Sequence, residues 1–221
     1  MIIAEAALEV IPKSLWRFPS VIKQSKSRGK KPGEMFLDRS YHHFEMLKMK
    51  DHKKRGRPDL IHFALLEVTS APLFLKNRLN VCVHTFDDKV IFLDKSVRLP
   101  KSYFRFEGLM EQLFKVGKIV SNGQCLLEIL DMDLKKLMRK IKPSSVIGLS
   151  RYGLPTSFEG IADELTNKER PVLVVGGFPH GYFSENTNRC FTKISSIGDQ
   201  AMAANVVIAR VIYEYEKLLE K

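Results

Sequence analysis

From Phe106 to the C-terminus, amphipathic stretches at helical spacing alternate with short apolar runs, and this alternation limits the fold more than any other feature of the chain. Leu109, Met110, Leu113 and Phe114 mark a helix, Cys125 to Leu130 a strand, and Leu134 to Ile141 a helix. Ser145 to Leu149 reads as a strand, Phe158 to Leu165 as a helix, Pro171 to Val175 as a strand, and a final helix follows Gln200. Strands and helices in strict alternation build a parallel sheet. The runs SVIGL and VLVV are apolar at nearly every position, as strands covered on both faces must be. The expected class is therefore α/β, a parallel sheet flanked by helices.

The first half is less regular. Ile2 to Ile11 is apolar enough for a strand that Pro12 ends, and Lys23 to Lys31, rich in Ser, Gly and Pro, reads as a mobile basic loop. Pro58 and Asp59 suit the first turn of a helix of about 10 residues after Arg57. Leu79 to Thr85 and Lys89 to Asp94, joined through Asp87 and Asp88, predict a β-hairpin. Val97 to Phe106 reads as a basic, aromatic connector. With 221 residues, the expectation is a single domain over 1–221, with the hairpin region at about 72–100 as an insertion.

Several function classes fall away. No apolar run approaches the roughly 18 residues of a membrane span, and no basic leader precedes the first apolar residues. Cys82, Cys125 and Cys190 form no CxxC pair and the six histidines no HExxH, so neither a disulfide framework nor a metal site is expected, and a reducing cytoplasmic setting fits. The glycine pattern is neither GxGxxG nor a P-loop, and no GxSxG elbow is present.

The charge is uneven. Of 36 Lys+Arg and 25 Asp+Glu, residues 1–110 hold 21 and 12, a net +9, and residues 111–221 hold 15 and 13, a net +2. A basic half joined to a near-neutral one points to a polyanion partner, nucleic acid first. Within it, Arg57 and Asp59 are spaced so that the carboxylate can hold the guanidinium in a fixed fork; a plain helix cap with a solvated arginine fits the same residues. Arg98, Lys101 and Arg105 are interleaved with Tyr103, Phe104 and Phe106, a mixture suited to RNA phosphates and unstacked bases, or to aromatics in the core with cations in solvent.

In the second half, Gly176, Gly177 and Gly181 follow the most apolar strand, where open α/β sheets place ligands; a tight turn without a ligand explains them equally well. Leu149 opens a second loop. Ile194, Ser195, Ser196, Ile197, Gly198 and Asp199 form a third, so three loops at one sheet end are candidates to line one pocket.

Taken together, R-P-D-x-x-H-x-x-L-L (Arg57 to Leu66), V-R-L-P-K (Val97 to Lys101), R-F-x-G-L-M-x-Q-L (Arg105 to Leu113) and G-G-x-x-x-G with I-S-S-I span nearly the whole chain in order. This arrangement resembles the ribosome-biogenesis pseudouridine N1-methyltransferases of the SPOUT class. The resemblance implies a C-terminal trefoil knot, S-adenosylmethionine as cofactor, a homodimer, a small-subunit rRNA pseudouridine as substrate, and ribosomal proteins or assembly factors as further partners. It also implies that Arg57 meets RNA with Asp59 steadying it, that Arg98, Lys101 and Arg105 touch RNA, and that Leu149, Gly176, Gly177, Gly181 and Ile194 to Asp199 hold the cofactor. No general base is identified. Lys101 stands where the family pattern has an arginine, and Gly177, Phe178 and Pro179 replace smaller residues. An RNA-binding assembly factor with little or no catalysis, or a ribose 2′-O-methyltransferase, are the alternatives.

Overall fold

The computed structural model describes residues 1–219. Eight strands form one sheet: β1 (Ile2–Ala6), β2 (Cys82–Thr85), β3 (Lys89–Leu93), β4 (Lys118–Ser121), β5 (Gln124–Asp131), β6 (Ser145–Pro155), β7 (Pro171–Gly176) and β8 (Lys193–Ser196). Their order is β4-β5-β3-β2-β1-β7-β6-β8. The pairs from β2 through β1, β7 and β6 to β8 are parallel, whereas β2–β3, β3–β5 and β4–β5 are antiparallel. The sheet is thus mixed rather than parallel. The hairpin β2–β3 places β2 directly against β1, and Asn122 and Gly123, both at positive φ, turn β4 back onto β5. A parallel reading missed β4 because Lys118–Ser121 is mostly exposed and carries no apolar run.

The central strands are covered on both faces. Ile3, Val83, Ile147, Leu173 and Val175 join one cluster, while Ile2, Ala4, Cys82, Val146, Val172 and Val174 join another. Side chains alternate across a strand, so two buried faces require continuous apolar sequence. The first face packs α3 (Pro58–Ser70), α4 (Pro72–Leu75), α5 (Tyr103–Val116), α7 (Phe158–Thr166) and α9 (Ala204–Leu219). The second packs α6 (Leu134–Ile141) through Leu134 and Leu137, with α8 (Glu185–Asn188) beside it. Asp133 caps α6 by accepting from the Lys136 amide at 2.6 Å.

Two N-terminal expectations are corrected. The segment from Lys23 is not a loop: α1 (Pro19–Arg28) begins at a proline already fixed for a first turn and ends at Gly29 in the left-handed region. Its cations are partly spent inside the protein, because Arg28 binds Glu107 at 2.9 Å and Glu111 at 3.2 Å and Lys30 also holds Glu111. Together with α2 (Arg39–Met46) it encloses a third cluster around Val21, Met35 and Met46. The first strand stops at Ala6 rather than Ile11, because Glu5 takes φ +51 and the pairing to β2 shifts between Ile3 and Ala6.

Candidate active site

Two groups of residues meet across the end of β1. On one side, Arg57 precedes α3, and Pro58 and Asp59 form its first turn. The guanidinium donates to Asp59 Oδ1 at 2.8 Å from Nε and to Oδ2 at 2.7 Å from Nη2. Both carboxylate oxygens are engaged, and this hydrogen-bonded partner raises the Arg57 pKa, so the side chain is a fixed cation. About a third of each side chain faces solvent.

The loop before α5 lies against α3. His62 bonds the Pro100 carbonyl at 2.8 Å and stacks on Phe106 with ring centroids 4.4 Å apart. Tyr103 donates to Asp38 at 3.2 Å; burial first, then the Asp38 charge, pushes its pKa up and keeps it a donor. The seam therefore has its aromatics divided: Phe106 is buried and Tyr103 half-buried, while Phe104 is 75% exposed beside exposed Arg98, Lys101 and Arg105. Phe63 on α3 is 53% exposed.

On the other side, the bulged middle of β6 and the segments that end and follow β7 and β8 line one cleft that includes Leu149, Gly176, Gly181, Ser196, Ile197 and Gly198. The loop expected after Leu149 is strand instead, because β6 bulges past Ser195 and pairs with β8 again at Leu154 and Pro155. Phe178, Tyr182, Phe183, Met202 and Val207 also line it, and among the described residues no carboxylate does. Gly181 has φ +103, and a Cβ on Gly176 would stand 2.9 Å from the Phe178 ring. Apolar walls with close backbone at glycine edges suit a nucleoside-bearing ligand. Gly177, Ile194, Ser195 and Asp199 do not line this cleft. Gly177 extends the sheet, donating to the Ala4 carbonyl and accepting from the Ala7 amide, both at 2.8 Å. Ile194 pairs with Gly148, Ser195 is fully buried in β8, and Asp199 is exposed.

The link between the two sides is a set of residues that the sequence reading did not single out. Ala7, bonded to Gly177, also accepts from the Arg57 amide at 3.2 Å. Lys54 binds the Glu5 carboxylate, donates to the Tyr182 carbonyl at 2.7 Å, and lies 4.4 Å from the Phe178 ring centroid. Glu5, 6% exposed, accepts from the Ser184 amide at 2.7 Å. Arg55 holds the buried Glu9 in a fork, at 2.6 Å through Nε. The available signal was Glu5 and Glu9 inside the otherwise apolar run IIAEAALEV, since a carboxylate there must find a buried partner.

The EMG1/NEP1 methyltransferase family model matches residues 1–216. This chain belongs to that family. It is 37% identical over 219 residues to the ribosomal RNA small subunit methyltransferase Nep1 of Staphylothermus marinus, covering 99% of this chain and 95% of that one. It is 38% identical over 220 residues to the protein of the same name from Pyrococcus furiosus, covering 98% and 96%. The fold is similar to the crystal structure of Archaeoglobus fulgidus Nep1 bound to S-adenosylhomocysteine, with a TM-score of 0.87, 34% identity, and coverage of 100% and 98%. As a member of the EMG1/NEP1 family, the chain is a methyltransferase with the α/β architecture that its own sheet displays.

Proposed function

We propose that this chain methylates small-subunit rRNA from S-adenosylmethionine, at N1 of a pseudouridine. The observation that carries the reading is the joint held by Ala7 and Lys54, which puts a fixed arginine fork and a carboxylate-free, glycine-edged cleft on one strand end. The small-subunit rRNA methyltransferase names of the relatives and the S-adenosylhomocysteine in the Archaeoglobus fulgidus structure support it.

When bound, the cofactor supplies a methyl group activated on a sulfonium. The chain has to bind, align and exclude water, and it needs no strong acid or base near the methyl. Leu149, Ile197 and Val207 offer apolar surface for the nucleoside portion, with Gly176, Gly181 and Gly198 letting backbone groups come close. Arg57 presents a rigid cation to a phosphate, while Arg98, Lys101 and Arg105 track the strand around exposed Phe104. The bonding is simple: a nitrogen–carbon bond forms at N1, the sulfur–methyl bond breaks, and the N1 proton leaves to solvent. Asp59 is a positioning residue, since both its oxygens are occupied by Arg57.

In this reading residues 1–221 act as one domain in the cytoplasm, consistent with three unpaired cysteines. Two copies meet beside the cofactor cleft, where Met202 and the Tyr152 ring tilted against Tyr182 are exposed. The reading includes a C-terminal knot, as the family resemblance implies, in the region where Ser195 pairs with both Leu149 and Leu154 and residues 150–153 bulge from the β6–β8 ladder. The test uses labelled S-adenosylmethionine and an RNA hairpin carrying one pseudouridine. Label is expected at N1 of that base, and none on the same hairpin with uridine, whose N1 is the glycosidic nitrogen. Label on both, recovered as a 2′-O-methyl nucleotide, would identify a ribose methyltransferase. Binding without label would identify an assembly factor.

A further inference from the structure

We propose that the groove between α6 and residues 51–54, about 1260 Å³ in volume, is a second RNA-binding site that holds a single-stranded segment next to the methylated base. The proposal rests on the methyltransferase reading above. Lys135 and Arg139, four residues apart, share one face of α6, and Lys142, the left-handed residue that caps the helix, continues the row to about 10 Å. All three line the groove and are exposed, and Lys53 faces them from the opposite wall. None of these four cations is ion-paired among the described residues.

Three of the four carboxylates that line the groove are hydrogen-bonded within the protein. Glu5 is held by Lys54 and the Ser184 amide, Asp133 caps α6, and Asp88 accepts from His84 at 3.0 Å. Asp51, exposed, is the remaining one among the described residues. Six Lys and Arg against four carboxylates line the groove, so its net charge is positive, and the lining also includes half-buried Met138 and Phe86. Cations in a row over apolar and aromatic surface are the ordinary means of holding a single strand, with phosphates on the cations and unstacked bases on the floor.

Continuity with the proposed reaction site favours RNA over another polyanion. The groove and the cofactor cleft share His180, Gly181 and Tyr182, so one end of the groove opens where the target base has to arrive. Its Lys53 wall belongs to the same loop that ends in Arg57. A strand whose base enters the cleft thus meets the arginine face on one side and α6 on the other. The arginine face alone carries only part of the RNA.

The test compares two RNAs, a pseudouridine hairpin alone and the same hairpin with a short single-stranded extension, by fluorescence anisotropy across a salt series. In the full-length protein, Lys135→Ala, Arg139→Ala and Lys142→Ala are combined. For the extended RNA, the slope of log K against log salt is expected to fall by about 2, from about 0.7 per lost phosphate contact. The bare hairpin should bind this variant as it binds wild type. A control variant, Lys76→Ala with Arg78→Ala and Lys168→Ala, removes the same charge from exposed positions outside the groove and should leave both RNAs unaffected. Equal losses on both RNAs, no loss on either, or the same loss in the control would overturn the site. So would a change of oligomeric state in the α6 variant, which would make the groove an interface between copies, or displacement of the extended RNA by an acidic peptide at lower concentration than by unlabelled RNA, which would make the occupant a protein. Methyl transfer to the bare hairpin is measured alongside. If wild type transfers none while extension-dependent binding persists, the reaction assignment fails and the groove stands.

Discussion

Arg57 and Asp59 form one unit, because the guanidinium fork uses both carboxylate oxygens at 2.7–2.8 Å. In a double-mutant cycle on RNA affinity, Asp59→Ala is expected to weaken binding in the wild type and to cost little once Arg57 is already alanine, the difference being a coupling of about 0.5–1 kcal/mol for a pair this exposed. Additive losses would give Asp59 its own contact to RNA. Glu5 belongs to the same scale with a different consequence. Burial opposes its charge, but Lys54 and the Ser184 amide outweigh that and hold its folded-state pKa below the ordinary 4.5. Between the folded and unfolded values the unfolded chain binds more protons, so the contribution is complete above about 4.5 and disappears as pH falls through the lower folded value. Glu5→Gln should therefore lose roughly 1.5–3 kcal/mol at neutral pH in urea unfolding and show a shallower acid dependence than wild type. An unchanged acid limb would show that Glu5 is not charged in the folded protein.

Among the elements, β6 and β8 decide where the cofactor loops lie. Gly153 rests so close to the Ser195 backbone that any Cβ would overlap it, and Gly148 stands in the same relation to the Phe191 ring. Backbone cannot retreat as a flexible side chain can. Gly153→Ala is expected to destabilise the fold by about 1–3 kcal/mol and to lower S-adenosylmethionine affinity measured by calorimetry, because Leu149 and Ser196 flank the displaced segment. Gly108→Ala, within α5 and with no atom within 4 Å of its Cβ, keeps cofactor affinity and controls for glycine loss in general. The opposite situation holds at α1, where Arg28 and Lys30 bind the carboxylates of Glu107 and Glu111 on α5. These contacts tie the end of α1 to buried carboxylates of α5 instead of facing a ligand, although burial raises the Glu107 pKa against the pull of Arg28.

For the molecule as a whole, the net charge of +11 is divided between internal pairs and open surface. Arg28, Lys54 and Arg55 are committed to Glu107, Glu5 and Glu9, whereas Arg98, Lys101 and Arg105 stay exposed around Phe104. Arg98→Ala with Arg105→Ala should reduce the salt slope of RNA-hairpin binding by about 1.4, at about 0.7 per phosphate, and leave cofactor affinity unchanged, because neither residue lines the cleft. Equal RNA affinity of this variant and wild type at moderate salt would make the stretch a solvated face.

The sequence by itself determined the doubly covered central strands, since only continuous apolar runs such as VLVV survive burial on both faces, and it determined the helix start at Pro58 and the chain's turn away from the sheet after Gly176, where local spacing carries the signal. It also supplied the motifs that mark the family. The parallel central pairs and the β2–β3 hairpin were legible, but the antiparallel pairing of β5 with β3 and β4 was not, because an exposed edge strand such as Lys118–Ser121 shows no pattern and pairing depends on residues far apart in the chain. Nor was α1, whose basic residues read as solvated until Glu107 and Glu111, about 80 positions away, come into contact. Tertiary structure alone separated Gly176 and Gly181, which line the cleft, from Gly177, whose backbone is bonded to Ala4 and Ala7. It alone joined Lys54 to Tyr182 across 128 positions, because a contact between loops is created by the sheet that brings them to one edge and leaves no periodicity in the chain.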